Sequence, residues 1–366
     1  MTEVLFLTNW QQLGGAELNA LLLAEGFQDH GVKTEVVFCC RRTPFVETSV
    51  PLRVLAPHKP TSLREILHFL KAVWQLRQKK PDAIFGFQNF SNVLGSLLAA
   101  TIPGCKFIAT QRNPAQTGGR LASIADRIVG CTALYTLNVC VSKAVKASFQ
   151  DYPRWYRSRL RVIHNGTPTL APINLSKAGC REFLKIPQDK ICLGALGRLA
   201  EQKNLSFLFS VMLALPDIHL VLGGSGEKEI ELKQEAEKLG LSARVSFLGD
   251  VARDDVAKFY EAIDVCVIPS RYEGFCRTLV EAMSVGLPVV ASKIDVFEEV
   301  GGDAVKLFTL EASLWVEGIS EILKRSEKRK ELSEKARLRA VFFNKETMIA
   351  QYRNAYQNPE DFEGFP

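Results

Sequence analysis

The chain lacks a cysteine pattern of the kind that builds a disulfide framework or a metal site. Its nine cysteines (39, 40, 105, 131, 140, 180, 192, 266 and 276) are odd in number, contain no Cys-x-x-Cys, and sit mostly in apolar runs such as Val265-Cys266-Val267. A disulfide scaffold and a zinc ribbon are therefore not expected. Reduced, buried thiols in a cytoplasmic protein are. A leader is not expected either, because Met1-Thr2-Glu3 carries no basic start and the apolar residues 4–7 are too few. The apolar stretches at 94–102 and 288–291 are too short to cross a bilayer. No repeat of 20–50 residues, no Gly-x-Gly-x-x-Gly at the first strand–helix turn and no Asp-x-Asp is found. Nothing here calls for a nicotinamide fingerprint or a metal clamp, and neither a metal nor a cofactor is assigned.

What is present is an ordinary globular composition: 366 residues, 47% hydrophobic and 23% charged, with 25 Gly and 16 Pro. That length suggests about two domains, each able to bury a core. The formal charge of +6 hides an asymmetry, since residues 1–165 hold 20 Lys and Arg against 10 Asp and Glu, while the rest holds 26 against 30. The basic excess lies wholly in the first half, which points to an anionic partner there.

Short runs rich in Val, Ile and Phe predict strands at 4–8, 34–40, 52–56, 83–87, 106–110, 136–141 and 161–163, then at 191–196, 219–223, 245–248, 265–269, 288–291 and 304–307. Helical patterns, such as 16–29, 63–79, 205–215 and 227–239, separate most of them. Continuously apolar strands alternating with helices mean parallel sheets covered on both faces. The segment Thr167-Pro168-Thr169-Leu170-Ala171-Pro172 interrupts the alternation and marks a linker. The expected fold is α/β: two doubly wound, Rossmann-like domains, with ligands at strand C-termini facing a central cleft.

Three motifs sit at such strand ends. Gly14-Gly15 follows the first strand and opens a helix. It can bring backbone amides and a helix N-terminus to a phosphate, or be simply a tight turn. Gly197-Arg198 and Lys203 flank a second turn. They can converge on a diphosphate, or be solvated loop cations. In the third, Glu273 follows a strand and Glu281 lies in the next helix, with the amides of 274–278 between them. The carboxylates suit sugar hydroxyls and the amides a phosphate, although Glu281 could equally serve the helix dipole. Together these describe a pocket for a nucleotide diphosphate sugar.

The ordered series Gly197-Arg198-Leu199…Lys203, Gly223-Gly224-Ser225-Gly226, Val245-Ser246-Phe247-Leu248-Gly249 and Glu273-Gly274-Phe275…Glu281-Ala282-Met283 resembles the family 4 retaining glycosyltransferases of the GT-B fold. Gly14-Gly15-Ala16-Glu17 and Val162-Ile163-His164-Asn165-Gly166 extend the resemblance to the first half. It implies a metal-independent hexosyl- or N-acetylhexosaminyltransferase. An acceptor-binding domain would span residues 1–168, completed by closing helices over 344–366, and a donor-binding domain residues 169–343. Arg198 and Lys203 would neutralise the donor diphosphate, Glu273 would contact the transferred sugar and Glu281 the ribose. Gly249 would meet the base, Gly274, Phe275, Cys276 and Leu279 the phosphate and sugar, and Gly14 and Gly15 would close over the donor. The acceptor hydroxyl would attack on the leaving-group face, with a donor phosphate oxygen taking its proton and no dedicated nucleophile.

Two departures stand out. Cys276 occupies a place where Gly is usual, and the loop is expected to survive with tighter access. A histidine common at a strand end of the first domain is missing; the corresponding ends read Phe87-Gln88-Asn89 and Thr110-Gln111-Arg112-Asn113-Pro114. The second resembles transferases of bacterial surface-polysaccharide assembly and makes Arg112 and Asn113 acceptor-side candidates. His164 is read as structural. Residues 63–80 form an amphipathic helix with a basic rim, and Tyr152-Pro153-Arg154-Trp155-Tyr156-Arg157-Ser158-Arg159 interleaves aromatics with arginine. Both suit an anionic membrane surface, where each basic residue contributes roughly 1 kcal/mol. The first could equally be an ordinary crossover helix. A lipid-linked glycan acceptor at the inner face of the cell membrane follows, and nucleic acid is not expected. A soluble acceptor, or a non-catalytic nucleotide-sugar-binding subunit, is the alternative.

Overall fold

The computed structural model describes residues 2–11, 14–42 and 48–364. Its contacts divide the chain into two units, Met1–Gly166 with Lys345–Pro366, and Thr167–Asn344.

The first unit is built on a seven-stranded, all-parallel sheet in the order β3-β2-β1-β4-β5-β6-β7. Its strands are β1 (Glu3–Gln11), β2 (Lys33–Arg41), β3 (Leu52–Ala56), β4 (Ala83–Phe87), β5 (Lys106–Gln111), β6 (Leu137–Cys140) and β7 (Leu160–Val162). Alternation along β1 sorts the two faces. Val4 and Phe6 pack with Leu23 and Phe27 of helix Gly15–Gln28 and with Ile349 and Tyr352 of helix Lys345–Gln357. Leu5 and Leu7 pack on the opposite side with Phe69, Val73 and Leu98. The closing helix is tied in further where Lys106 Nζ donates to the Tyr356 carbonyl at 3.1 Å.

The second unit has six parallel strands in the order β10-β9-β8-β11-β12-β13. These are β8 (Ile191–Leu196), β9 (Ile218–Gly223), β10 (Val245–Phe247), β11 (Val265–Ile268), β12 (Val289–Ser292) and β13 (Lys306–Phe308). Leu193, Leu220 and Val265 meet Trp315 and Ile319 in one of its cores. Both sheets reverse direction beside their first strand, between β1 and β4 and between β8 and β11. In such sheets that switch point is where a crevice opens at the strand C-termini.

The thirteen expected strands all form, with one change of consequence. β1 does not stop at residue 8 but pairs with β2 as far as Gln11 against Arg41. Beyond Thr8 it has lost β4 as a neighbour, and Trp10 is held instead under the Arg42 guanidinium at 5.0 Å. The expected helix 63–79 ends at Gln75 and tightens into a 3-10 turn, Leu76–Lys79. No described helix is long and apolar enough to cross a membrane. Seven of the nine cysteines are buried and none is bonded to another.

Candidate functional site

In the second unit the site is made by three loops at the β8/β11 switch point. Gly197 leaves β8 with φ +142°, and its N–H donates to the Gly223 carbonyl at 2.9 Å while Leu199 N–H donates to Ser225 at 2.9 Å. The β8 and β9 loops therefore lie backbone to backbone, and the glycines of Gly223-Gly224-Ser225-Gly226 allow it. A Cβ on Gly224 (φ +119°) would lie 2.1 Å from the Gly197 carbonyl oxygen, and one on Gly226 2.4 Å from that of Leu199. Gly249 (φ +67°) accepts from Gly224 N–H at 2.6 Å, and a Cβ there would meet open space. Its glycine answers the backbone conformation rather than crowding.

This packing sets Arg198 and Lys203 in unlike surroundings. Arg198 is exposed and makes no hydrogen bond or ion pair among the described residues. Lys203 ends the 3-10 turn Glu201–Lys203 and places Nζ 2.7 Å from Glu273 Oε1. Burial pulls its pKa down, but the Glu273 carboxylate beside it more than offsets this, so the ammonium is held charged above its ordinary value. The buried Glu273 also accepts from Ser270 Oγ at 2.8 Å and from Gln202 Nε2 at 3.2 Å. Three unlike donors fix one carboxylate. Two cations and one anion leave a local charge of +1, presented by Arg198.

Glu281 is not in the first turn of its helix, Arg277–Ser284, and so does not serve the dipole there. It is buried, with Oε2 accepting from Tyr260 Oη at 3.1 Å and Oε1 from Arg277 Nη2 at 3.2 Å. Two residues without a role in the sequence reading thus hold its carboxylate. The i,i+4 spacing of Arg277 and Glu281 was a usable signal; nothing local announces Tyr260. The Nε and Nη1 of Arg277 are buried without a partner among the described residues, so this guanidinium keeps unused donors at the helix start. Cys276 caps the helix at φ +66°. That left-handed position explains why glycine is usual there, since a side chain adds strain of roughly 1–2 kcal/mol. Burial, with the Glu273 carboxylate adding to it, pushes the Cys276 thiol up to about 11. Phe275 packs edge-on against Phe343 at 5.5 Å, and Leu279 is fully buried. Gly274 completes the loop between Glu273 and Phe275.

The first unit carries a separate cavity of about 270 Å³ at the C-terminal ends of β1, β4 and β5. Asn9, Gln88, Asn89, Gln111 and Asn113 line it, so its polar groups are mostly carboxamides. Gln88 stands at φ +85°, ψ 156°, a backbone region that is essentially glycine-only. It is pinned by Asn92 N–H donating to its carbonyl at 2.9 Å and by Asn9 Oδ1 accepting from Ser91 N–H at 3.0 Å. Behind Gln111 lies a buried carboxylate: Asp126 accepts from Tyr156 Oη at 2.6 Å, Tyr135 Oη at 2.7 Å and Gln111 Nε2 at 3.2 Å. Burial holds the Asp126 pKa above its ordinary value, against those hydrogen bonds.

Both residues of the expected acceptor-side pair line the cavity, Asn113 exposed and Arg112 half-buried with its guanidinium directed into the unit. Arg112 Nη2 donates to Asn165 Oδ1 at 2.9 Å, and the group lies over the Phe87 ring at 5.4 Å. It is therefore an anchor for the Asn165-Gly166 segment. Tyr156 is likewise a core residue bonded to Asp126 and not part of an outer aromatic surface; Trp155 beside it is exposed. Gly14 and Gly15 have no left-handed backbone angle, and a Cβ on Gly15 would meet open space. The backbone does not require that pair; what it leaves is room at a helix start.

Family comparisons agree with this division. Residues 13–169 match the model described as Glycosyltransferase Family 4, and residues 178–339 the model described as Glycosyl transferases group 1. The lipopolysaccharide core biosynthesis mannosyltransferase LpsB of Rhizobium meliloti (strain 1021) is 33% identical over 267 residues, 68% of this chain and 70% of that protein. An uncharacterized glycosyltransferase of Methanocaldococcus jannaschii, MJ1607, is 34% identical over 188 residues, covering 48% of each chain. The crystal structure of Anabaena HepE in complex with UDP and glucose superposes with a TM-score of 0.84 at 22% identity, over 98% of this chain and 100% of that one. The fold is thus GT-B, and the chain belongs to the glycosyltransferases of family 4, group 1.

Proposed function

We propose that the protein is a retaining, metal-independent glycosyltransferase that moves a hexosyl or N-acetylhexosaminyl group from a nucleotide diphosphate sugar to a hydroxyl of a lipid-linked glycan, in surface-polysaccharide synthesis. The observation that carries this reading is the grouping at the β8/β11 switch point of an unpaired Arg198, a Lys203–Glu273 ion pair and a pre-oriented Glu281. When the bond between sugar C1 and the diphosphate breaks, negative charge grows on the departing phosphate. Arg198 supplies a bidentate donor for it, and Lys203 a second charge that Glu273 holds in place. Glu273, fixed by three donors, is available to a sugar hydroxyl, and Glu281 to the ribose. Glu281's two held oxygens keep free lone pairs for such bonds.

The carboxamide-lined cavity of the first unit suits the acceptor, because amides both donate to and accept from hydroxyls. The acceptor hydroxyl would pass its proton to a donor phosphate oxygen. The name of LpsB favours a lipopolysaccharide-type acceptor, and the basic first half suits work at the inner face of a membrane. The test is donor hydrolysis and transfer over a panel of UDP-, GDP- and ADP-sugars, with a lipid-linked and a lipid-free acceptor in parallel. One donor turned over faster than the rest, and loss of that turnover in both Arg198→Ala and Glu273→Ala, is expected. Wild-type rates in both variants would remove the site assignment.

A further inference from the structure

Helix Arg120–Gly130 is mounted against the usual sense, in which the apolar stripe faces the core. Its Leu121, Ile124 and Ile128 are exposed, and the side chain it buries is the carboxylate of Asp126, 1% exposed. Taking a carboxylate out of water is costly unless donors meet it. Here they do, and one of them is Gln111, at the end of β5 and on the cavity wall. The sequence reading of that strand end took up Arg112 and Asn113 and passed Gln111 over.

Every group that faces Asp126 is a donor. Tyr135 Oη and Tyr156 Oη direct their single protons at its two oxygens, at 2.7 and 2.6 Å. Asn92 Oδ1 accepts from Thr110 N–H at 3.3 Å, so the amino group of Asn92 is the end turned toward Asp126, at 3.4 Å. Gln111 is then left with one orientation. An ionised carboxylate only accepts, and Tyr156 Oη, its proton given away, accepts as well. Both call for the Nε2 of Gln111, which lies 3.2 Å from Asp126 Oδ2 and 2.9 Å from Tyr156 Oη. Its Oε1 keeps no partner among the described residues, on a side chain that lines the cavity. Asn9, on the same cavity, is fixed in the opposite sense: its Oδ1 accepts from Ser91 N–H at 3.0 Å, which leaves its amino group to offer.

A carboxamide in open surroundings can turn over to suit a donor or an acceptor. One backed by an anion cannot. We propose that Asp126 is a positioning residue for the acceptor, locking Gln111 so that Oε1 faces the cavity and accepts a hydrogen bond from a hydroxyl of the acceptor glycan. Asn9 supplies the complementary N–H to a hydroxyl oxygen. The polarity of the cavity is set by a charge that never touches the ligand. The part that concerns the glycan rests on the proposed function; the orientation of Gln111 does not.

The orientation is tested first, without any acceptor. In the wild type the side-chain amide protons of Gln111, assigned by proton–nitrogen NMR against Gln111→Met, should exchange slowly with water. Asp126→Asn puts an N–H where the carboxylate accepted, so the carboxamide should turn over and its protons should exchange fast. Kinetics test the consequence, with the octyl glycosides of glucose, galactose and N-acetylglucosamine as acceptor probes. Asp126→Asn should raise acceptor KM about tenfold, the scale of one neutral hydrogen bond, and leave donor KM as it was. Asp126→Asn combined with Gln111→Glu exchanges the two groups, keeps the charge and gives the cavity back an accepting oxygen; acceptor KM should return toward the wild-type value. A merely structural Asp126 would lower the melting temperature of both variants and leave KM alone. Fast exchange of the Gln111 amide in the wild type, an amide that Asp126→Asn does not move, or a raised KM that the exchanged pair does not recover overturns the proposal. Slow exchange that Asp126→Asn abolishes, with acceptor KM unchanged, retires the acceptor reading of the cavity and leaves the orientation of Gln111 standing.

Discussion

The two switch points share a topology and differ in chemistry. At β8/β11 the loops pack so closely that a Cβ on Gly224 or Gly226 would meet backbone, and they deliver charge: Arg198 unpaired, Lys203 bonded to Glu273 at 2.7 Å. At β1/β4 the lining side chains are mostly carboxamides, the lining Arg112 bonds Asn165, and the strained residue is Gln88 rather than a glycine. On the proposed reading, the same sheet edge serves a ligand with concentrated anionic charge in one unit and a polyol in the other. Fixed charge suits the first because a transition state gains from preorganised cations in a low-dielectric site. Neutral two-way hydrogen bonding suits the second.

The sharpest break of that comparison is removal of charge from one side and of an amide from the other. Arg198→Ala should lower the transfer rate by about 100- to 1000-fold, as loss of a preorganised charge contact typically does. Asn113→Ala should cost about tenfold or less, the scale of one neutral hydrogen bond, and should act on acceptor KM. Steady-state kinetics with each substrate varied in turn reads both. Equal losses would mean that the two edges are not divided as proposed.

Backbone comes next. Gly224→Ala forces a Cβ to 2.1 Å from a carbonyl oxygen at φ +119°, and neither atom belongs to a flexible side chain. A stability loss of about 3 kcal/mol or more is expected from strain of this kind. Differential scanning calorimetry should show it, together with weakened UDP-sugar binding. In the other unit the sign reverses: Gln88→Gly removes strain of roughly 1–3 kcal/mol and should raise the melting temperature. If the strained backbone aims the Gln88 side chain, acceptor transfer should fall more than tenfold while donor hydrolysis is unchanged. Unaltered transfer would reduce Gln88 to a local oddity.

The residues that made the second site readable are the ones whose chemistry is local. Arg198, Lys203 and Glu273 follow strands that periodicity locates, Glu281 lies in the helix after the last of them, and a β8–loop–helix segment needs no distant information. What stayed illegible depended on long-range packing. Tyr260 reaches Glu281 from a different helix, and Gln202 and Ser270 converge on Glu273 from two loops. Arg112 lines the cavity at its strand end, but the bond its guanidinium makes to Asn165, 53 residues away, is not announced by the sequence. The 63–80 segment was recognisably amphipathic, yet periodicity says only that the apolar residues share a side, not which side the sheet covers. The stripe of helix 120–130 stays illegible for the same reason, because helical spacing alone does not show that Leu121 is exposed.

The smallest effect is the most local. Cys276 holds a left-handed backbone angle in the loop after β11, with its buried thiol pushed up to about 11. Cys276→Gly should stabilise the protein by about 1 kcal/mol or less, because relief of the strain is partly offset by the greater freedom of glycine in the unfolded chain. The thiol adds a pH signature. A group whose pKa is raised by folding contributes stability that is complete below its unfolded value of about 9 and is lost as pH climbs toward the folded value of about 11. The advantage of Cys276→Gly should therefore grow between pH 9 and pH 11, while the two melting curves stay a fixed distance apart at pH 6 to 8. A gap that does not change with pH would mean that the Cys276 thiol is not shielded from water, and with it the donor loop would be more open than the packing of Phe275 on Phe343 implies.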